Sequence, residues 1–294
     1  MKAATLRTNR YPGYAWAGIA LGILVQILLI LKIRFAAVWL TPLMWTAYIL
    51  AADGWLALKT GRSWLTSRRR EFPLLALLSI AIWLIFEAYN FHLQNWLYGG
   101  VPASPILRDL AYLWSFATIL PGVFLTSELL EQWLPPTLTL RRLPSLLQGW
   151  PAFLLGATMI TVPLALPVPL ARYSIASVWL GFIFLLEPVN ARLGAGSAGR
   201  LIREGNGRRV LALLLGGFLC GLLWEAWNYQ AFLAQGGHWI YTIPAALRVF
   251  GLHYGQMPVL GMFGFPPFAL ELYALYHLLR ALLDGERLLG PPAW

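Results

Sequence analysis

Cysteine, histidine and charged side chains are all scarce in this chain of 294 residues. The single cysteine, Cys220, excludes an internal disulfide and leaves no framework of thiolates for a metal. Charged residues make up 12% of the chain and hydrophobic residues 59%, whereas a soluble domain carries about 25% charged residues. The composition therefore predicts a membrane protein.

The few histidines also argue against a metal or haem centre. They are His92, His238, His253 and His277, and none is duplicated along the chain. Di-iron bundles need a histidine three residues after a glutamate on two helices. The corresponding positions here are Asn90 and Asn228. We therefore expect no metal site and no cofactor.

Nucleotide and nucleic-acid partners are disfavoured as well. The loops at 59–72 and 192–209 contain no phosphate-binding glycine pattern of the P-loop kind. The net charge of +10 comes from basic residues in short loops between apolar segments, including the RRR run at 68–70. Such clusters are typical of membrane topology signals and contact anionic headgroups. The expected partners are membrane lipids, with partner subunits of a membrane complex left open.

Eight apolar segments are long enough to span a bilayer. They are 13–33, 35–57, 73–95, 110–134, 149–170, 173–191, 210–234 and 249–283. The first follows Lys2, Arg7 and Arg10 as in a signal peptide, but no cleavage site of small residues follows, so we interpret it as a retained helix. In the last segment, Pro266–Pro267 predict a short helix or re-entrant turn followed by a full helix.

The basic residues indicate how these segments are oriented. With the N-terminus inside, every inside segment carries at least two of the 22 lysines and arginines, and the outside loops carry few. The positive-inside rule then places both termini in the cytoplasm. We expect a multi-pass protein of the cell inner membrane.

An unusual pattern occurs twice in the chain. WLIFEAYN at 83–90 matches GLLWEAWN at 221–228, so that Glu87 and Asn90 correspond to Glu225 and Asn228. An aromatic pair and a proline follow each copy. The pairs are Trp96 with Tyr98 and Trp239 with Tyr241. The sequence therefore predicts an all-α polytopic membrane protein of two parallel four-helix repeats, 1–145 and 146–294.

Further acids occupy matching places in the two halves. Asp53 and Glu187 end the second and sixth segments, while Glu128 and Glu271 lie in the fourth and eighth. Because Asp53 and Glu187 lie near predicted cytoplasmic ends, we expect them to pair with loop arginines.

An acid in hydrocarbon costs roughly 2.5–3.5 kcal/mol on insertion scales, so it marks a function or a partner. Desolvation disfavours the anion, and such a glutamic acid can act in proton transfer. The candidate catalytic residues are Glu87, Glu225, Glu271, Glu128, Asn90 and Asn228. The candidate substrate-lining residues are Phe86, Tyr89, Trp224, Trp227, Trp96, Tyr98, Trp239 and Tyr241. Alternatively, these acids and amides only bond helices together, and the aromatic residues form interfacial belts.

The order WEAWN, WIYTIP, QMP and GFPPFALELY in the second half resembles the lycopene cyclase domain of heterodimeric and fused carotenoid cyclases. The resemblance covers about 73–134 and 210–283. It implies a duplicated membrane unit in which Glu225 belongs to a tryptophan–acid pair and Glu271 lies near a proline–acid motif. Phe86–Glu87 and Glu128 take those places in the first half. The family's acids directly follow its proline, whereas Glu271 comes after Pro267 at a distance of four residues.

Three functions remain open from the sequence. The first is an intramembrane enzyme that protonates an isoprenoid or carotenoid and stabilises the cation on aromatic faces. The second is a proton-coupled transporter of a small or lipophilic solute, with Glu87 and Glu225 as coupling sites. The third is a non-catalytic membrane subunit. A cavity open to lipid favours the first, and a path open to water on both sides favours the second.

Overall fold

The computed structural model describes residues 10–140 and 149–290, apart from the side chain of Glu286. Four of the basic residues assigned to the inside, Lys2, Arg7, Arg141 and Arg142, lie outside these ranges.

Helices make up most of the described chain, with four short strands. In order they are α1 (Gly13–Ile30), α2 (Arg34–Val38), α3 (Leu40–Thr60), α4 (Glu71–Leu93), β1 (Trp96–Gly99), α5 (Pro105–Ala117), α6 (Ile119–Trp133), α7 (Gly149–Ala165), α8 (Val168–Ala171), α9 (Ile175–Leu193), α10 (Ala198–Arg203), α11 (Gly207–Leu233), β2 (His238–Tyr241), β3 (His253–Tyr254), β4 (Met257–Pro258), α12 (Val259–Met262), α13 (Phe265–Leu282) and α14 (Gly285–Leu289). Two 3-10 turns, Ala245–Leu247 and Val249–Gly251, precede β3.

Six helical segments of the described chain are long and apolar enough to cross a membrane. They are α1, α4, α5 with α6, α9, α11, and α12 with α13. This confirms the prediction of an all-α, multi-pass membrane protein. The apolar helix α7 has only 17 residues, and the predicted segment 249–283 is α-helical only from Val259. The count of eight spans stays a prediction.

Two helix pairs pack tightly through glycines. A Cβ on Gly18 of α1 would lie 2.6 Å from the Leu50 side chain of α3, and a Cβ on Gly156 of α7 would lie 2.2 Å from the Leu185 amide of α9. A larger residue at either position would push the helices apart, because side chains do not tolerate such distances. Small residues at helix interfaces in this way are typical of membrane bundles.

The two carboxylates that we expected to pair with loop arginines bind backbone amides of loop residues instead, and Asp53 also binds a loop hydroxyl. Asp53 accepts hydrogen bonds from the Trp64 amide at 2.6 Å and the Ser63 hydroxyl at 2.5 Å. Glu187 accepts from the amides of Ala198 and Gly199 at 2.8 and 2.9 Å. Each carboxylate thus satisfies amides that a buried loop or helix start leaves without a partner. The expectation of arginine pairs missed this because amide donors leave no mark in the sequence.

The bundle has two chemically different ends. At one end, which we call the ribbon end, α4 and α11 lead into β1 and β2. At the opposite end, which we call the arginine end, Arg68 and Arg209 form ion pairs with Glu128 and Glu131 of α6. A buried ion pair between Glu71 and Arg280 connects the start of α4 with the last turn of α13.

Candidate functional site

The two aromatic pairs of the repeated pattern face each other in a β-ribbon. Strands β1 and β2 pair antiparallel, with Leu97 opposite Ile240 at the centre. Trp96 lies opposite Tyr241, and Tyr98 lies opposite Trp239. The sequence interpretation placed these residues at the ends of membrane segments and did not predict strands. The pairing joins positions about half the chain apart, and local pattern carries no signal for it.

Both asparagines of the repeated pattern hold this ribbon. The Asn90 side chain accepts from the Trp96 amide at 3.2 Å and donates to the Trp96 carbonyl at 2.9 Å. Asn228 accepts from the Trp239 amide at 2.7 Å and donates to its carbonyl at 3.3 Å. Asn228 also donates to Glu225 at 3.2 Å, a contact that orients the carboxylate. Asn90 also accepts from the Asn95 amide at 2.8 Å, so it supports the start of the ribbon.

Glu225 is fully buried and has hydrogen-bond donors on both oxygens. Oε1 accepts from the Gln256 amide at 2.6 Å, and Oε2 accepts from the Tyr241 hydroxyl at 2.8 Å. Burial and, after it, the charge of Glu225 raise the pKa of Tyr241 well above its ordinary value. The carboxylate therefore fastens α11 to β2 and to the turn between β3 and β4. Gly255 in that turn has a φ of +59°, and a Cβ there would meet Oε1 at 2.5 Å.

Glu87 plays a matching part in the first half. Its Oε1 accepts from the indole N–H groups of Trp83 and Trp96 at 2.8 and 3.1 Å, and from the Tyr98 hydroxyl. Burial first, and then the Glu87 charge, raise the pKa of Tyr98 well above its ordinary value. Glu87 thus binds Tyr98 of β1, and Glu225 binds Tyr241 of β2.

Four indoles from both halves, which we call the tryptophan cluster, meet beside the ribbon: Trp83, Trp96, Trp224 and Trp239. The rings of Trp224 and Trp239 stack with centroids 4.4 Å apart. Trp83 lies 5.9 Å from Trp96 and 5.8 Å from Trp224. Since Glu87 fixes two of these indoles by their N–H groups, their π faces are held in place.

The tryptophan cluster forms one wall of a cavity of about 370 Å³. The other walls come from α9, β4, α12 and α13, with Trp179, Met257 and Phe268 among the lining residues. No described residue that lines the cavity is charged. Its rim includes Leu180, Leu260 and Phe263, which are 38%, 46% and 64% exposed. The cavity is thus aromatic inside and has an apolar, exposed rim.

The predicted lining residues divide into two groups. Trp224, Trp96, Trp239 and Tyr241 line the cavity. The others lie elsewhere: Phe86 packs against Phe182 and Phe268, Tyr89 donates to the Ile160 carbonyl at 3.1 Å, Trp227 packs edge-on against Trp45, and Tyr98 lines a separate small pocket.

Glu271 is a buried carboxyl group whose two oxygens have no hydrogen-bond partner among the described residues. It is fully buried on α13. Pro267 and Phe268 line the cavity four and three residues before it. Because residues three and four apart share a helix face, Glu271 lies one turn beyond the cavity floor, about 6 Å along the axis.

Glu128, which the sequence matched with Glu271, has a different environment. It accepts hydrogen bonds from Nη1 and Nη2 of Arg68, each at 2.7 Å, and from the indole N–H of Trp64 at 2.6 Å. Arg62 lies 3.5 Å away. These contacts are at the arginine end, away from the ribbon. The structure therefore brings Glu87, Glu225 and Glu271 to the ribbon half of the bundle and leaves Glu128 in an ion pair.

Several residues of the site did not stand out in the sequence as functional. Trp83 had a usable signal, since it lies one helical turn before Glu87 and donates to it. Asn95, Trp179 and Phe268 had none, because their place in the cavity depends on how α9 and α13 pack against the ribbon.

Removing the Tyr241 hydroxyl should weaken the site. Tyr241→Phe leaves Oε2 of the buried Glu225 without its closest donor, which we expect to lower the free energy of unfolding by about 1–3 kcal/mol. Unfolding in detergent, followed by tryptophan fluorescence, measures this. Tyr254→Phe is the control: this residue is 39% exposed and its hydroxyl makes a long 3.3 Å bond, so the change should stay within about 0.5 kcal/mol. Equal effects of the two variants would contradict the conclusion that the Tyr241–Glu225 hydrogen bond fastens β2 to α11.

Comparison of the chain with protein-family models, with curated proteins and with solved structures gives no match.

Proposed function

We propose that the protein is an intramembrane enzyme that isomerises or cyclises an isoprenoid polyene by protonating a carbon–carbon double bond. The observation that carries this proposal is the combination of an uncharged aromatic cavity with Glu271 one turn beyond its floor, whose carboxyl has no hydrogen bond within the described part of the chain. A hydrocarbon chain fits such walls, because they offer apolar contact and few polar groups.

The rim supports entry from the bilayer. Leu180 on α9 and Phe263 beside α12 are exposed apolar residues, and exposed apolar side chains of a spanning bundle face lipid. A lipophilic substrate would enter sideways between these elements without crossing water. This feature favours an enzyme for a lipid over a carrier of a hydrated solute.

The tryptophan faces suit a cationic intermediate. In the first step the Phe268 ring moves aside so that the substrate reaches Glu271. The O–H bond of Glu271 then breaks, and its proton forms a C–H bond at one carbon of the double bond. The neighbouring carbon becomes a carbocation, which the π faces of Trp224 and Trp239 attract electrostatically. Stacking of these rings at 4.4 Å keeps both in place for this role.

Tyr241 and Glu225 provide a route for the second proton. The Tyr241 side chain lines the cavity and donates to Glu225. A substrate C–H bond adjacent to the cation breaks, its electrons restore a double bond, and its proton goes to the Tyr241 oxygen while the tyrosine proton passes to Glu225. Glu225 later loses a proton and Glu271 regains one from solvent, so no oxidant or reductant is consumed. Glu87 positions Trp83 and Trp96.

The proposed architecture is two parallel repeats, with eight spans and the arginine end in the cytoplasm. Three matched features support it: the glycine contacts of Gly18 and Gly156, the loop-binding acids Asp53 and Glu187, and the β1–β2 ribbon. The ribbon has Leu97 opposite Ile240, its counterpart in the repeat, as expected for a local two-fold axis. The basic residues at the arginine end support the orientation.

Solvent isotope incorporation tests the proposed reaction directly. The purified protein in lipid nanodiscs is incubated in D₂O with acyclic carotene or prenyl-chain polyenes, and the lipids are analysed by mass spectrometry. Proton-initiated chemistry should leave a deuterium on carbon in an isomeric product of otherwise unchanged mass. The matched control is Trp133→Phe. Trp133 is 70% exposed and does not line the cavity, so this variant should retain activity. Polyenes recovered unchanged and free of deuterium would overturn the proposal.

A further inference from the structure

One lining residue of the cavity has a polar atom without a partner. Asn95 is 2% exposed, lines the cavity, and its Oδ1 has no hydrogen bond among the described residues. A buried acceptor in this state costs free energy, and natural structures leave few of them. It therefore marks a position where a bound molecule is expected to supply a donor.

The orientation of this amide is fixed by its other contacts. Nδ2 donates to the Arg172 carbonyl at 2.8 Å, and the Asn95 backbone amide donates to Asn90 at 2.8 Å. The Asn95 carbonyl accepts from the Thr242 amide at 2.9 Å. Because Nδ2 is needed as a donor, the amide cannot turn over to hide its oxygen. The side chain of Asn95 is therefore fixed in the cavity wall.

The neighbouring residue Arg172, whose carbonyl accepts from Asn95, has an N–H donor without an acceptor among the described residues. This donor is the buried Nε atom. A hydroxyl group is both a donor and an acceptor, so it can supply the donor that Oδ1 of Asn95 lacks. An ether can only accept, and a hydrocarbon can do neither.

We propose that the cavity selects a lipid alcohol, an apolar chain with one hydroxyl that donates to Oδ1 of Asn95. The chain lies against Trp179 and Phe268 and leaves past Phe263 toward the bilayer. This inference rests on the proposed function in that the same cavity holds the substrate, and it adds the polar group by which the substrate is recognised.

Three probes that differ at one end test the selection: farnesol, farnesyl methyl ether and farnesene. Binding to the protein in nanodiscs is followed by the change in tryptophan fluorescence, since five tryptophans line the cavity. We expect farnesol to bind about tenfold more tightly than the other two, because only farnesol satisfies Oδ1.

Two variants of Asn95 separate recognition from folding. Asn95→Leu removes the acceptor, and farnesol should lose its advantage while farnesene still binds. Asn95→Asp, in its neutral form, keeps an acceptor and a donor for the Arg172 carbonyl, and should retain the preference. Equal binding of all three probes to the unaltered protein would overturn the alcohol selection and leave the proposed function standing. Absence of binding by every probe would overturn both.

Discussion

Glu271→Leu should stabilise the protein and abolish its reaction. The carboxyl is fully buried and neither oxygen has a hydrogen bond among the described residues. Leucine removes two unsatisfied polar atoms and keeps a side chain of similar size. The free energy of unfolding should rise by about 1–3 kcal/mol. Deuterium incorporation in the nanodisc assay should fall by at least about 10²-fold, as expected when a general acid is lost.

A second variant separates these two effects. Glu271→Gln has nearly the shape of the acid and leaves polar atoms equally unsatisfied, so its stability should stay close to that of the unaltered protein. It cannot donate the proton, and its activity should fall as far as that of Glu271→Leu. Detergent unfolding and the isotope assay on both variants provide the measurements. If Glu271→Leu were less stable than the unaltered protein and Glu271→Gln fully active, Glu271 would be a structural residue.

Glu128→Gln should have the largest destabilising effect. Glu128 and Arg68 are 3% and 9% exposed in their side chains and form a two-pronged pair at 2.7 Å. Removing one partner of a buried pair leaves the other charge uncompensated, which costs about 3–5 kcal/mol. Unfolding in detergent measures the loss. The predicted role of Glu128 in proton transfer would instead require it to give up this arginine.

Two controls identify the ion pair as the cause. Glu204→Gln removes the partner of Arg200 in a pair whose side chains are 54% and 39% exposed, and should change stability by no more than about 0.5 kcal/mol. Adding Arg68→Met to Glu128→Gln removes the uncompensated charge and should recover part of the loss. If the double variant were as unstable as the sum of the two single variants, the pair would not be coupled.

The membrane class and the helices were predictable because their signals are local. Composition is a property of the sequence itself, and apolar length and the proline pair in the first turn of α13 are signals from neighbouring residues, so the sequence reveals them directly. The repeated Glu and Asn positions were also visible as a pattern. Even so, the pattern could not show that Asn90 binds the ribbon backbone. The turn between α4 and β1 brings the Trp96 backbone close to the Asn90 side chain, and that turn was not predicted.

The equivalence of Glu128 and Glu271 shows the limit of position along the chain. Both lie in the membrane-length helical segment that follows the ribbon strand of their half, yet one is paired with Arg68 and the other has no partner among the described residues. Charge and burial at a position depend on which other helix end approaches it. Arg68 comes from the loop before α4, and nothing in the spacing of the acids indicates that contact.

The sequence alone determined that this chain is a bundle of apolar helices with acids and amides in duplicated places, since hydrophobicity and helix periodicity are properties of neighbouring residues. Only the tertiary structure decided that Glu87 and Glu225 bind the ribbon, that Glu128 pairs with arginine, and that Glu271 has no partner among the described residues. It also made the cavity, because the ribbon of Trp96 and Trp239 faces α9 and α13 only once strands far apart in the chain have paired.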